Sequence, residues 1–104
     1  MKLPSLSILI PTYNNARTIA VALEEAIEVG KRLSRRWRVV VVNDGSTDQT
    51  TRILEKYRSH AHVELIMHKQ NQGYGETIGE LYQVGTQSEW MFTVPGDYQV
   101  GARE

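Results

Sequence analysis

The four consecutive valines at 39–42, ended by Asn43-Asp44-Gly45-Ser46, constrain this chain more than any other stretch. β-branched side chains suit a pleat, and an unbroken apolar run suits a strand covered on both faces. The run stops at polar residues and a glycine. Gly45 can take a positive φ, so the chain can turn sharply there. Ser46 is an N-cap residue type, and Gln49 three residues later completes a capping box. A buried strand thus ends in a carboxylate, a tight turn and a helix start. Asp44 falls at the carboxyl end of a strand, where open α/β sheets bind ligands.

The rest of the chain repeats this alternation. Residues 6–10 are β-prone and halted by Pro11, which predicts a first strand. Asn14 or Asn15 can cap a helix over about residues 16–33, where Ile19, Leu23, Ala26, Ile27 and Leu33 recur at helical spacing. Residues 37–43 form the second strand. A second helix is expected over about residues 47–57, with Thr50, Ile53, Leu54 and Tyr57 inward. The third strand is 63–67. The third helix covers roughly residues 76–85, with Ile78, Leu81, Tyr82 and Gly85 toward the sheet. Residues 90–94 form the fourth strand. Strand–helix alternation of this kind implies a three-layer, Rossmann-like α/β fold with a parallel sheet in the order 3-2-1-4.

Length and composition bound the function classes. A chain of 104 residues is one domain at most. With 12 basic and 12 acidic residues the net charge is zero, which argues against a nucleic-acid partner. The absence of cysteine excludes disulfides and thiolate metal sites. No apolar run reaches the ~18 residues of a membrane span, and nothing behind Met1-Lys2-Leu3-Pro4 reads as a signal peptide. The expected location is cytoplasmic.

In a parallel sheet all strand carboxyl ends share one edge. Here that edge collects Pro11-Thr12-Tyr13, Asn43-Asp44, His68 and Pro95-Gly96-Asp97. A tyrosine with two acids suggests a ring-bearing polar ligand. Tyr13 can stack on a base, and Asp44 can accept from a base N–H. Asp97 can hold a divalent cation, joined by the Gln99 carbonyl. Plainer readings exist for each. Asp44 can cap the turn before helix two, Tyr13 can pack on helix one, and Asp97 can belong to a type II turn. Gly73-x-Gly75-x3-Gly79 has the wrong spacing for a dinucleotide fingerprint and reads as close packing of helix on sheet. His60-x-His62 reads as a solvated loop rather than a metal pair, and His68 has no assigned role.

Ser7-Ile8-Leu9-Ile10-Pro11-Thr12-Tyr13-Asn14, then Asn43-Asp44-Gly45-Ser46-Thr47-Asp48, then Asn71-Gln72-Gly73-Tyr74-Gly75 resemble the inverting family 2 glycosyltransferases of the GT-A fold. Within that family the chain is similar to the polyprenyl-phosphate (dolichyl-phosphate) sugar synthases, over their N-terminal, donor-binding half. The resemblance implies a nucleotide-sugar donor and a lipid-phosphate or glycan acceptor. It implies a role at the cytoplasm or the cytoplasmic face of a membrane. It also implies nucleotide contacts from Pro11, Thr12, Tyr13, Asn15, Asp44, Asn71 and Gly73. Magnesium or manganese, bound with the diphosphate, would sit at Asp97 and Gln99. Three positions depart from the family pattern. Pro95 replaces the first acid of the Asp-x-Asp metal motif, Asn15 replaces an acid, and no Lys or Arg occurs between Lys69 and Arg103. The catalytic base is not identifiable in this chain.

Two rivals remain at this stage. One is a nucleotide-binding or degenerate regulatory module without catalysis. The other is an unrelated doubly wound domain, disfavoured because strand one ends in Pro-Thr-Tyr-Asn rather than an acid pair or a Gly-rich loop. The uncharged fourth strand, with two large aromatics, predicts an apolar patch or self-association at that edge.

Overall fold

The computed structural model describes residues 2–94. It contains β1 (Leu6–Thr12), α1 (Ile19–Leu33), β2 (Trp37–Asn43), α2 (Thr50–Glu55), β3 (Val63–Met67), α3 (Tyr74–Gly85) and β4 (Trp90–Thr93). Asp97 and Gln99 lie outside the described residues. The sheet is parallel in the order β3-β2-β1-β4, as the alternation predicts.

The layering follows from this order. The chain steps from β1 to β2 to β3 in one direction, then returns past β1 to β4. Right-handed crossovers taken in opposite directions place their helices on opposite faces. Accordingly α1 and α2 pack on Leu6, Ile8, Ile10, Val39 and Val41. On the other face α3 packs through Leu81 on Leu9, Val40 and Val42. The valine run is fully buried because its alternate side chains enter both cores. The reversal also opens a crevice beside β1 at the carboxyl edge.

Pro11 does not halt β1, which runs on to Thr12 with Pro11 opposite Val42. The backbone bonds give the reason. Leu6 N–H donates to Arg36 and the Thr12 carbonyl accepts from Asp44, both on the β2 side, whereas the Leu9 carbonyl accepts from Val94 on the β4 side. Odd-numbered residues of β1 thus bond toward β4, and β4 pairing ends at Leu9–Thr93. The N–H that Pro11 lacks would have pointed to the β4 side, so no bond of the β1–β2 ladder is lost, and β1–β4 pairing goes no further than Leu9–Thr93.

Both early helices start later than expected, because the candidate caps bond elsewhere. Asn14 and Asn15 do not cap α1; its N-cap is Thr18, whose side chain makes no capping bond to the helix. The capping box is not formed either: Ser46 Oγ accepts from the Asn14 N–H at 2.9 Å, and Gln49 caps α2 without a side-chain bond. Helix α3 begins at Tyr74, and its buried residues are Thr77, Leu81 and Gly85. Tyr82 does not face the sheet and is 48% exposed.

The glycines also divide differently from expectation. A Cβ on Gly73, Gly75 or Gly79 would meet nothing within 4 Å, so these are not close-packing positions. Among the helical glycines the tight contacts are at Gly30, where a Cβ would lie 2.4 Å from the Trp37 ring, and at Gly85, 2.5 Å from Met91 Sδ. His60 and His62 are likewise no simple solvated loop. The His62 ring stacks on Trp37 with centroids 4.1 Å apart and planes 6° from parallel.

These contacts fix the sign of two substitutions. Gly30→Ala gains about 1 kcal/mol of helix propensity but must displace a buried ring clamped by His62, at about 1–3 kcal/mol. It should lower the urea midpoint. Gly79→Ala, with open space around it, should raise stability by about 0.5–1 kcal/mol. Equal effects from both would show that the Gly30–Trp37 contact imposes no constraint.

Candidate functional site

A cleft of about 380 Å³ opens at the carboxyl ends of β1 and β4. All seven residues expected to touch a nucleotide line it: Pro11, Thr12, Tyr13, Asn15, Asp44, Asn71 and Gly73. Tyr74, Thr77 and Thr93 line it too and were missed. Tyr74 and Thr77 belong to the first turn of α3; the predicted helix, from about residue 76, held Thr77 but left Tyr74 in a loop. Thr93 is the last residue of β4, so that strand delivers the chain to the cleft.

Three loops build the walls, and their polar side chains lock one to another. Asn14 sits at φ +51°, a conformation asparagine tolerates. Its Oδ1 accepts from the Thr47 and Asp48 backbone N–H groups at 2.7 and 3.3 Å. This clasps the loop after β1 to the loop after β2. Asn15 Oδ1 accepts from Thr12 Oγ1 at 2.7 Å and from the Tyr13 N–H at 3.0 Å, holding the Pro-Thr-Tyr turn at the cleft rim. Tyr13 is 43% exposed rather than packed away on α1, and Tyr74 is 72% exposed. Both rings are thus accessible for stacking.

The turn before α2 is held by Asn43, not by Asp44. Asn43 Oδ1 accepts from the Ser46 N–H, and its amide donates to Thr51 Oγ1 at 2.8 Å. Gly45 has φ +73°, as the turn requires, and a Cβ there would lie 2.4 Å from the backbone of Gln70 and Asn71. The third loop therefore lies directly on this turn.

Asp44 anchors that third loop. It is 4% exposed. Its Oδ1 accepts from the Gln72 N–H at 2.7 Å and from His68 Nδ1 at 2.9 Å, and its Oδ2 accepts from the Gly73 N–H at 2.9 Å. Burial pushes the carboxyl upward, but these hydrogen bonds to the charged form outweigh it and hold Asp44 below the ordinary carboxylate value. Oδ2 keeps one lone pair for a further donor.

His68, without an assigned role in the sequence, joins this group. Its Nε2 lies 2.7 Å from Glu80 Oε1, so the ring bridges two carboxylates. The bond to Asp44 raises its basicity, burial opposes, and Glu80 adds to the rise; the ring is held above the ordinary histidine value. Such an environment had no sequence signal, because Asp44, His68 and Glu80 come from three elements.

Among the described residues no group of three or more His, Cys, Asp or Glu is placed to hold a metal ion. The His60/His62 pair fails on tautomers. His60 Nδ1 accepts from the His62 N–H, whereas His62 Nδ1 lies 2.9 Å from the Trp37 carbonyl and must donate. The neutral His60 ring therefore has no lone pair left on Nε2.

A sequence profile of Glycosyl transferase family 2 matches residues 7–100. Dolichyl-phosphate beta-glucosyltransferase of Saccharomyces cerevisiae is 35% identical over 80 residues, covering 70% of this chain and 24% of the relative. Undecaprenyl-phosphate 4-deoxy-4-formamido-L-arabinose transferase of Pectobacterium carotovorum is 26% identical over 72 residues, covering 69% and 22%. Residues 1–349 of S. aureus TarS, solved with UDP-GlcNAc, superpose with a TM-score of 0.70 at 30% identity, over 89% of this chain and 26% of that one. The mannosyltransferase PcManGT of Pyrobaculum calidifontis, solved with GDP-Man and Mn2+, shares the fold with a TM-score of 0.76 at 23% identity, over 93% and 28%. The chain thus spans about a quarter of the length of these relatives. Profile, relatives and strand order agree, and the chain belongs to glycosyl transferase family 2.

Proposed function

We propose that this chain forms the donor-binding part of an inverting glycosyltransferase that moves a sugar from a nucleotide-sugar to a lipid-phosphate or glycan acceptor. The observation that carries this reading is the cleft itself. Seven residues drawn from three separate motifs line one space, beside a buried carboxylate with a lone pair to spare. The base stacks on Tyr13 and donates an N–H to Asp44 Oδ2, with Asn15 holding the rim. The nucleotide-sugars bound by TarS and PcManGT support this class of ligand. The polyprenyl-phosphate acceptors named for the yeast and Pectobacterium relatives support the acceptor class.

In the reaction an acceptor oxygen attacks the anomeric carbon as the bond to the nucleotide diphosphate breaks, inverting that carbon. A sugar hydroxyl acceptor needs a base to take its proton. A lipid phosphate does not, because its terminal oxygen is already largely ionised near neutral pH. We assign Asp97 and Gln99 as the chain's contribution to a magnesium or manganese site. The manganese in PcManGT supports a divalent cation. Two protein oxygens fall short of the six or so that these ions take, so the cation should bind together with the diphosphate. It would neutralise the charge of the leaving group, a task no Lys or Arg between 69 and 103 can perform. No helix among the described residues is long and apolar enough to cross a membrane. The reading places the domain in the cytoplasm, at the membrane face where a lipid-phosphate head is within reach.

Asp44→Ala should weaken UDP-GlcNAc or GDP-mannose binding by about 1–3 kcal/mol, roughly 5- to 150-fold, in calorimetry at a temperature where both proteins are folded. Equal binding would remove Asp44 from the donor site. Thr77 is 1% exposed and its hydroxyl has no partner among the described residues. Thr77→Val keeps the shape and removes that unpaired group, so it should stabilise the ligand-free chain by about 1 kcal/mol in urea unfolding. A loss of stability would mean that the hydroxyl is satisfied internally. Trp90, Met91 and Phe92 are 48%, 39% and 38% exposed on the sheet edge. We propose that the isolated chain self-associates through β4. Phe92→Lys should then lower the mass in light scattering, and a monodisperse wild-type monomer would refute the association.

A further inference from the structure

His68 occupies a position with a stringent proton requirement. Its side chain is 8% exposed, and each ring nitrogen faces a carboxylate oxygen: Nδ1 at 2.9 Å from Asp44 and Nε2 at 2.7 Å from Glu80. A neutral imidazole carries one N–H, so one of these contacts would set a lone pair against a carboxylate. Only the doubly protonated ring satisfies both. The remaining charged groups nearby do not relieve this. Glu76, one turn before Glu80 on α3, borders the same surface hollow as His68, and the neighbouring Lys69 is exposed.

The contact reaches the cleft directly. The Asp44 oxygen that meets His68 also receives the Gln72 N–H, and the other receives the Gly73 N–H. Glu80 lies on α3, the helix whose first turn supplies Tyr74 and Thr77 to the cleft wall. We infer that doubly protonated His68 is the positioning residue of the donor cleft, pinning the 70–73 loop and α3 through Asp44 and Glu80, and that donor affinity falls when His68 gives up a proton. This rests on the donor-binding reading above.

The sign of the pH effect follows. Asp44 and then Glu80 hold His68 above its ordinary value of 6.5, against the pull of burial. Its contribution to stability is therefore complete below pH 6.5 and is lost as pH rises through the raised value. Asp44, held below its ordinary 3.8, contributes above that value and is lost only as pH falls through the lowered one. The cleft should be firmest between these limits.

The test is calorimetric titration of the 104-residue chain with UDP-GlcNAc and with GDP-mannose, in magnesium, from about pH 6 to about pH 8.5. Their diphosphates are substituted at both ends and have no proton to lose in this range, and the His68→Gln profile separates His68 from the base N–H and from every other titrating group. For whichever donor binds, the wild-type Kd should rise roughly tenfold across the range. His68→Gln should give a flat profile. Glu80→Gln, which removes one of the two carboxylates favouring the charged ring, should move the midpoint to lower pH. Wild-type binding with no pH dependence overturns this inference alone, even if thermal stability still falls with pH. A pH-dependent Kd that persists in His68→Gln also overturns it. Failure of the wild type to bind either donor at any pH overturns the donor-binding reading and this inference with it. Should His68→Gln fail to fold, the wild-type profile and the Glu80→Gln midpoint still decide.

Discussion

The carboxylate of Asp44 is the point on which the ligand edge depends. It sits at the end of the central strand pair and is almost fully removed from water. A buried charge is costly unless it is met by donors, and here three donors meet it. Two are backbone N–H groups of the loop that starts α3, and the third is the ring that follows β3. One charge thus joins the exits of β2 and β3 to the entrance of α3. Gly45 lets this happen at close range, because the Gln70–Asn71 backbone occupies the space a side chain would need.

The two other loops are held by the same economy. Asn14 supplies an acceptor to the first N–H groups beyond the β2 turn, so the Pro-Thr-Tyr-Asn-Asn and Asn-Asp-Gly-Ser-Thr-Asp motifs form one clasp. At the opposite end of the sheet Arg38 does comparable work. Its guanidinium donates to Ser7 Oγ, to Glu64 and to the Val84 carbonyl in the last turn of α3. A cation at a helix C-terminus complements the helix dipole. Helix α3 is therefore tied at both ends, by Asp44 near its start and by Arg38 near its finish, with the cleft along its first turn.

Much of the architecture was legible because it depends on local pattern. The bounds of β2 and β3 follow from apolar runs with polar ends, and the 3-2-1-4 order follows from the alternation and the hand of crossovers. Pro11, Thr12, Tyr13 and Asp44 were legible because every strand exit in a parallel sheet reaches one edge; Asn15, Asn71 and Gly73 followed only from the family resemblance, and Tyr74, Thr77 and Thr93 were missed. Helix starts were not. Asn14, Asn15 and Ser46 have cap chemistry, but their side chains bond across to other loops or back into their own, and no local rule chooses between these options. Gly73, Gly75 and Gly79 were misread for a related reason. Spacing identifies a glycine but not what lies opposite, and the close approaches fall instead at Gly30 and Gly85.

By itself the sequence determined the fold class, the family and the edge at which chemistry gathers, because hydrophobic period and turn composition act over a few residues. Tertiary structure alone decided what each polar group on that edge does. Asn43 took the turn-capping work that Asp44 was equally suited to, and Asp44 became the anchor of a loop 28 residues away in sequence. His68 acquired two carboxylate partners from separate elements. Pro11 kept its place in β1 because its missing donor faces away from β2, so the β1–β2 ladder loses no bond. These outcomes turn on direction and distance between segments far apart in the chain, and direction exists only once the sheet has been assembled.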